Sequence, residues 1–195
     1  MKKLTALIST TILGLIASSA FAASNTASHN VRVEIPAVMM IRIADTTGNN
    51  AATNPTIVFN LLNSAGYQGL DGSTLTSFSA TNTNEFGAVE VLANTGWNVN
   101  VSATETATDT GGSTIPSPNM DLARIKITPT STGDPSITNP LTSFDLTETG
   151  AIASGTKTSG WKSIGIEGSS YGVLLNGSET PGTYVYDVTY TIAAP

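Results

Sequence analysis

The chain has 195 residues, of which 8 are basic and 14 acidic, and it contains no cysteine. The missing cysteines exclude disulfide bonds, thiolate catalysis and zinc–thiolate sites. The net charge of -6 disfavours nucleic acids and anionic membrane surfaces as partners. We therefore expect a protein that binds no nucleic acid, needs no cofactor, and takes its stability from an apolar core.

The N-terminus resembles a cleaved export signal. Lys2 and Lys3 precede an apolar run over residues 4–17, and Ala20-Phe21-Ala22 supplies the small residues that a signal peptidase recognises. The sequence predicts a signal peptide over residues 1–22 and one mature domain over residues 23–195. The apolar run is too short to cross a bilayer, so no membrane span is expected. The product would reach the cell surface or the medium, through a periplasm if the cell has two membranes.

The composition of the mature chain predicts β structure. Thr, Ser and Asn are abundant, only 11% of residues are charged, and apolar residues recur with a period of two. Alternating stretches lie at 57–61, 89–91, 97–101, 123–127, 171–175 and 184–192. Eight to ten short strands with no helix between them predict an all-β, antiparallel β-sandwich of the immunoglobulin-like or jelly-roll-like kind. The polar stretch 104–119 predicts a long surface loop.

The first alternating stretch, residues 31–43, has two interpretations. Every odd position is apolar, but thirteen residues exceed the usual strand length and Pro36 interrupts the run. In the first interpretation the strand switches sheets at the proline. In the second, residues 23–36 form an N-terminal arm whose Val31, Val33 and Ile35 insert into a neighbouring molecule by β-strand addition.

Candidate catalytic and metal sites are sparse. His29 is the only histidine and lies close to the expected cleavage site, and the carboxylates are dispersed along the chain. We therefore expect no enzymatic activity. Asp45 with Asn49 and Asn50, or Asp109, could bind calcium, but the same residue types also form Asx turns, and no Asp-x-Asp-x-Asp-Gly loop is present. No resident metal is predicted.

Two tryptophans have different contexts. Trp97 begins an alternating stretch with Val99 and Val101, which predicts a ring that fills the core of the sandwich. Trp161 lies between Gly160 and Lys162, where a surface position that stacks on a sugar is an alternative to packing.

The N-terminal alternating stretch, the lack of cysteine and the final stretch 181–192, PGTYVYDVTYTI, resemble bacterial fimbrial subunits of the cysteine-less type. In that family the N-terminal extension of the next subunit completes a β-sandwich that lacks one strand. The resemblance implies that Val31, Val33 and Ile35 are donor-strand residues and that the partners are identical subunits and an assembly chaperone.

The chain is also similar to WxL-type surface domains, which carry one Trp-x-Leu motif in a central strand and another in the last strand. The matching positions here are Trp97 with Val99, and Tyr190 with Ile192, ahead of Ala194-Pro195. This resemblance implies non-covalent attachment to wall polysaccharide.

The expected function is therefore a non-enzymatic structural subunit of a surface appendage that assembles by β-strand addition. The alternative is a surface domain that binds wall polysaccharide, another surface glycan or a host ligand. A fimbrial subunit should expose an incomplete sheet edge, whereas a binding domain should pair its first strand inside its own sheet. A secreted hydrolase would instead need a cleft lined by paired carboxylates or by His29.

Overall fold

The computed structural model describes residues 29–109, 121–139, 141–179 and 181–195, and for residues 106–109 the backbone alone. The chain is an all-β protein in which three antiparallel sheets pack together, so the predicted β-sandwich is confirmed. The strands are β1 (Met39–Ile43), β2 (Thr76–Ser79), β3 (Ala88–Ala93), β4 (Trp97–Asp109), β5 (Ile125–Ile127), β6 (Ile137–Thr138), β7 (Phe144–Asp145), β8 (Ala153–Gly155), β9 (Lys162–Glu167), β10 (Tyr171–Leu175) and β11 (Thr183–Ala193). The predicted signal peptide lies outside the described residues.

The three sheets have simple strand orders. The first is β1-β3-β9, the second β2-β10-β5-β7, and the third β11-β4-β8-β6. All pairs are antiparallel, as expected for strands joined by turns rather than by crossover helices. Strands β1 and β11 are therefore edge strands of two different sheets.

Helical structure is limited to short segments. Helix α1 (Ala65–Gln68) is one turn long, and the Ser64 side chain caps it by accepting a hydrogen bond from the Tyr67 N–H group. Two 3-10 turns, Leu122–Arg124 and Gly168–Ser170, precede β5 and β10. The expectation of no helix between the strands is wrong at α1, which lies between β1 and β2. None of the helices in the described part of the chain is long and apolar enough to cross a membrane.

One apolar core joins the three sheets. Most of its members come from alternating positions of the strands, because successive side chains of a strand point to opposite faces. The fully or almost fully buried set includes Val89, Val91, Trp97, Val99, Ile127, Phe144, Ile152, Ile164, Ile166 and Tyr171. The Tyr171 and Tyr190 hydroxyl groups hydrogen bond to each other within this core, and burial raises the pKa of Tyr171 to about 12.

The longest ladder pairs β4 with β11 and corrects one prediction. β11 pairs with β4 from Thr183 opposite Asp109 to Ala193 opposite Asn98, with one irregularity at Val185/Tyr186. The surface loop expected over residues 104–119 is therefore wrong for residues 104–109, which continue β4. Five of these six residues are polar, but the backbone of β11 supplies their ladder, so the pairing does not depend on an apolar pattern. The rest of that expected loop lies outside the described residues.

Residues 57–61 alternate in sequence but form no strand. Only an isolated bridge joins Val58 to Asn82. At the next ladder position the Thr81 hydroxyl, not a backbone carbonyl, accepts the Asn60 N–H hydrogen bond at 2.9 Å. That hydroxyl also donates to the Val58 carbonyl. Side-chain hydrogen bonds of this kind replace the ladder, so the prediction of a strand here is wrong.

Candidate assembly surface

The residues before Pro36 do not continue the first strand. β1 begins at Met39, and residues 29–38 belong to no strand. Pro36–Pro195 forms one compact unit, to which the described residues before Pro36 do not belong. In that N-terminal segment Val31, Val33 and Ile35 are 75%, 74% and 78% exposed. We call residues 29–35 the arm.

The chain just after the arm is held by Asn94, which follows β3. The Asn94 amide nitrogen donates to the Pro36 carbonyl at 2.8 Å, and its amide oxygen accepts the Val38 N–H group at 2.8 Å. The Asn94 backbone N–H group donates to the Val38 carbonyl at 3.1 Å. Proline has no N–H group with which to extend the ladder. The β1–β3 pairing therefore ends at the two hydrogen bonds of the Asn94 side chain, which we call the clamp. The strand predicted over residues 31–43 is confined to Met39–Ile43.

Two edge strands flank a seam in the compact unit. β1 hydrogen bonds to β3 and β11 to β4, and Cα atoms of β1 and β11 lie within 8 Å of each other although no ladder joins these strands. Met39, Ile41, Val188 and Ile192 pack against the core from the two strands but stay partly exposed. We call these four residues the β1/β11 seam. Within the described part of the chain, no third strand covers it.

The positions that match the WxL-type pattern converge in space. Val99 of β4 lies directly opposite Ile192 of β11, and Tyr190 lies opposite Val101. Trp97 and Val99 have no exposed surface, Tyr190 is buried, and Ile192 is partly buried against the same core. The four residues therefore share the inward face of the β4–β11 pair. The Trp97 indole N–H group donates to the Thr156 carbonyl at 2.8 Å.

The loop around Asp45 is built as a turn. The Asp45 carboxylate accepts hydrogen bonds from the Thr47 N–H and hydroxyl groups, from the Asn49 N–H group and from the Asn50 amide. The Thr47 hydroxyl is the largest of the causes that lower the Asp45 pKa. The Asn49 and Asn50 amides donate within the loop, to the Thr47 hydroxyl and to the Asp45 carboxylate, as in the Asx-turn interpretation of this sequence. Within the described residues, no three metal-binding side chains cluster.

Other carboxylates serve turns and ion pairs. Asp134 accepts from Ser136 and pairs with Lys162 at 3.0 Å, and these contacts, led by the Ser136 hydroxyl, hold its pKa at about 2. Asp145 binds Lys126 at 2.7 Å and the Thr147 N–H group at 3.0 Å. A carboxyl with a lowered pKa is ionised at neutral pH and is a poor proton donor. These two carboxylates therefore make the hydrogen bonds and ion pairs that hold their loops.

Trp161 is partly buried, and a cation covers its ring. The Arg42 guanidinium lies 4.4 Å from the ring centroid and pairs with Glu90 at 2.7 Å. The Arg42 side chain is mostly buried, and it also donates to the Gly48 carbonyl. Arg42 of β1 thus connects the Trp161 ring with β3 and with the loop after β1. A sugar that stacked on this face of Trp161 would have to displace Arg42.

Glu179 is the centre of a buried polar network. Its side chain is 5% exposed and contacts the Arg124 guanidinium, while its carboxylate accepts the Asn176 and Gly177 N–H groups at 3.0 and 2.8 Å. Tyr67 of α1 donates its hydroxyl to the same carboxylate at 3.5 Å. Burial raises the Glu179 pKa, but the hydrogen bonds and Arg124 outweigh it, so the pKa is lowered overall. The network connects α1, a 3-10 turn and the loop before β11.

Sequence reasoning missed Asn94, Arg42 and Glu179, because each binds residues about 50 positions or more away in the chain. The only available signal for Asn94 was its position between the alternating stretches of β3 and β4.

No family model, curated protein or solved structure matches this chain.

Proposed function

We propose that this protein is an exported, non-enzymatic structural subunit of a bacterial surface appendage, assembled when the arm of one molecule adds as a strand to the next. The observation that carries the proposal is the arm itself. Three apolar side chains of one parity, Val31, Val33 and Ile35, stand about three-quarters exposed outside the compact unit. An exposed row of alternating apolar residues fits strand addition to an open sheet edge.

The β1/β11 seam is the proposed acceptor. The arm has seven described residues, and residues 187–193 of β11 present an edge of the same length, about 23 Å at roughly 3.3 Å per residue. Partly exposed Val188 and Ile192 would be covered by the incoming side chains. Cα atoms of β1 and β11 lie within 8 Å of each other, less than the roughly 9.6 Å that a strand paired to both would need, so the incoming strand is proposed to pair with β11 alone.

The stability of the proposed junction depends on both side-chain burial and backbone pairing. Fully burying Val31, Val33 and Ile35 would contribute about 1.5–3 kcal/mol each. Association costs about 4–15 kcal/mol of lost freedom, so side-chain burial alone is of the same order as the cost. The backbone ladder of the added strand would have to supply the remaining stabilisation. The proposed partners are identical subunits. An assembly chaperone is proposed to cover the seam before polymerisation.

We expect Val33→Asp to weaken assembly of the mature protein about 100-fold while leaving the monomer intact. A carboxylate at the middle anchor would have to be desolvated against apolar residues of the seam. Val33 belongs to the arm and not to the core, so the thermal unfolding midpoint of the monomer should not change. Analytical ultracentrifugation over a concentration series, with negative-stain microscopy, measures the assembly.

Val33→Leu is the matched control, because it keeps an apolar anchor at the same position, and it should assemble like the wild type. A Val33→Asp protein that unfolds as a monomer would show that the segment is an internal strand. Unchanged assembly of Val33→Asp would show that the arm is not the donor.

The second candidate function is a surface domain that binds wall polysaccharide or a host ligand. The convergence of Trp97, Val99, Tyr190 and Ile192 on one strand pair favours it, since these are the positions that match the WxL-type pattern. A closed monomer that sediments with purified cell walls, and whose binding survives Val33→Asp, would support this candidate over assembly.

A further inference from the structure

We infer that Asn94 is a positioning residue for assembly: its side-chain amide fixes the place where the arm leaves the domain. The inference rests on the proposed function of the arm and adds a residue outside both the arm and the seam. It follows from the two 2.8 Å hydrogen bonds that the Asn94 side chain makes to the backbone on both sides of Ala37.

The clamp replaces the final step of a β ladder. Met39 lies opposite Ala93 in the last regular pair of β1 and β3, and the Asn94 N–H group continues the pattern to the Val38 carbonyl. Farther along the chain, Pro36 has a carbonyl but no N–H group. It could therefore not form both hydrogen bonds of a ladder pair with another strand. A side-chain amide, with one donor and one acceptor, satisfies both the Pro36 carbonyl and the Val38 N–H group.

Asn94 lies between two residues that pack into the core. Asn94 is exposed, but it lies between Ala93, which is almost fully buried, and the turn into Trp97, which has no exposed surface. Nearby, the Thr158 hydroxyl accepts the Ala93 N–H group at 3.0 Å. The turn that carries the amide is thus held on both sides by core residues. Asn94 thus holds the backbone at Pro36 and Val38. The seven described residues before Pro36 are the part proposed to pair with a neighbouring molecule.

This arrangement affects assembly through entropy. A donor segment whose base is fixed loses less conformational freedom on binding than one whose base is frayed, so binding is tighter for the same contacts. If the clamp is removed, residues 36–38 lose the hydrogen bonds of the Asn94 side chain and must be ordered together with the arm at every junction. The Asn94 side chain hydrogen bonds to Pro36 and Val38, which belong to neither the arm nor the seam.

The test compares Asn94→Ala with Asn100→Ala in the mature full-length protein. Asn100 is an exposed asparagine on β4, so it controls for loss of a surface amide. We expect Asn94→Ala to weaken assembly about fivefold and to speed hydrogen exchange of the Val38 amide about fivefold to tenfold, by loss of one hydrogen bond. The Ile41 amide and the unfolding midpoint should not change. Asn94→Asp keeps the acceptor for the Val38 N–H group but loses the donor to the Pro36 carbonyl. Its assembly should be weaker than that of Asn100→Ala and stronger than that of Asn94→Ala.

The outcomes separate the two proposals. If Asn94→Ala assembles like Asn100→Ala while Val33→Asp does not assemble, the role of Asn94 is wrong and the donor arm stands. If Val33→Asp assembles like the wild type, the donor arm is wrong, and the role of Asn94 is wrong with it. If Asn94→Ala lowers the unfolding midpoint, Asn94→Asp replaces it in the comparison with Asn100→Ala. Normal assembly of Asn94→Asp would then overturn the inference.

Discussion

Trp97→Ala is expected to destabilise the monomer by about 3–5 kcal/mol, measured by chemical denaturation. The ring has no exposed surface, so its removal leaves a large cavity among residues that cannot all collapse into it. The Thr156 carbonyl would also lose its indole partner. Gly155 shows how closely the ring is packed, because a Cβ atom at that glycine would lie 2.3 Å from the Trp97 ring.

Trp161→Ala is the matched control for this prediction. It removes the same side chain from a partly buried position where the Arg42 guanidinium covers the ring, and it should cost about 1–2 kcal/mol. A loss below about 1 kcal/mol for Trp97→Ala, or equal losses for the two variants, would show that the core is not organised around Trp97.

Glu179→Gln is expected to cost about 3 kcal/mol at neutral pH, because it removes one partner of a largely buried ion pair and leaves the Arg124 guanidinium without its carboxylate. The pKa of Glu179 is lowered in the folded protein, so its contribution is complete above the ordinary value of 4.5 and is lost as the pH falls through the lowered pKa. The difference between wild type and Glu179→Gln should therefore shrink as the pH falls below 4.5. Urea denaturation at several pH values measures it.

Glu34→Gln provides the comparison for the charge itself. It breaks the Arg32–Glu34 ion pair, whose side chains are 86% and 71% exposed, and should cost less than about 0.5 kcal/mol. A pH-independent loss at Glu179 would mean that packing, and not the charge, accounts for the effect.

The parts of the fold that could be predicted are those where one face of a strand enters the core. Tyr171, Val173 and Leu175, and the even positions of β11, alternate in sequence because the core selects every second side chain. Residues 104–109 gave no such signal, since their pairing depends on the distant backbone of β11. Residues 57–61 gave a false signal, because the hydroxyl of Thr81, more than twenty positions away, replaces the ladder there.

The sequence singles out Val31, Val33 and Ile35 by their shared parity ahead of Pro36. Their role as donor-strand residues stays a prediction. The seam could not be predicted, because partial burial of Val188 and Ile192 depends on which strands become sheet edges. Asn94 could not be predicted either, since an isolated asparagine after a strand is typical of an ordinary turn.

Intermolecular disulfide formation tests the donor arm most directly, because the natural chain has no cysteine. Chains carrying only Val33→Cys would be mixed with chains carrying only Val188→Cys or only Ile192→Cys, distinguished by a mass label, and oxidised after assembly. A disulfide requires Cβ atoms about 3.5–4.5 Å apart, so it reports local contact. We expect mixed dimers with at least one seam partner, and few with Ser79→Cys on the edge strand β2. Equal cross-linking to Ser79→Cys, or none to either seam position, would contradict strand addition at the β1/β11 seam.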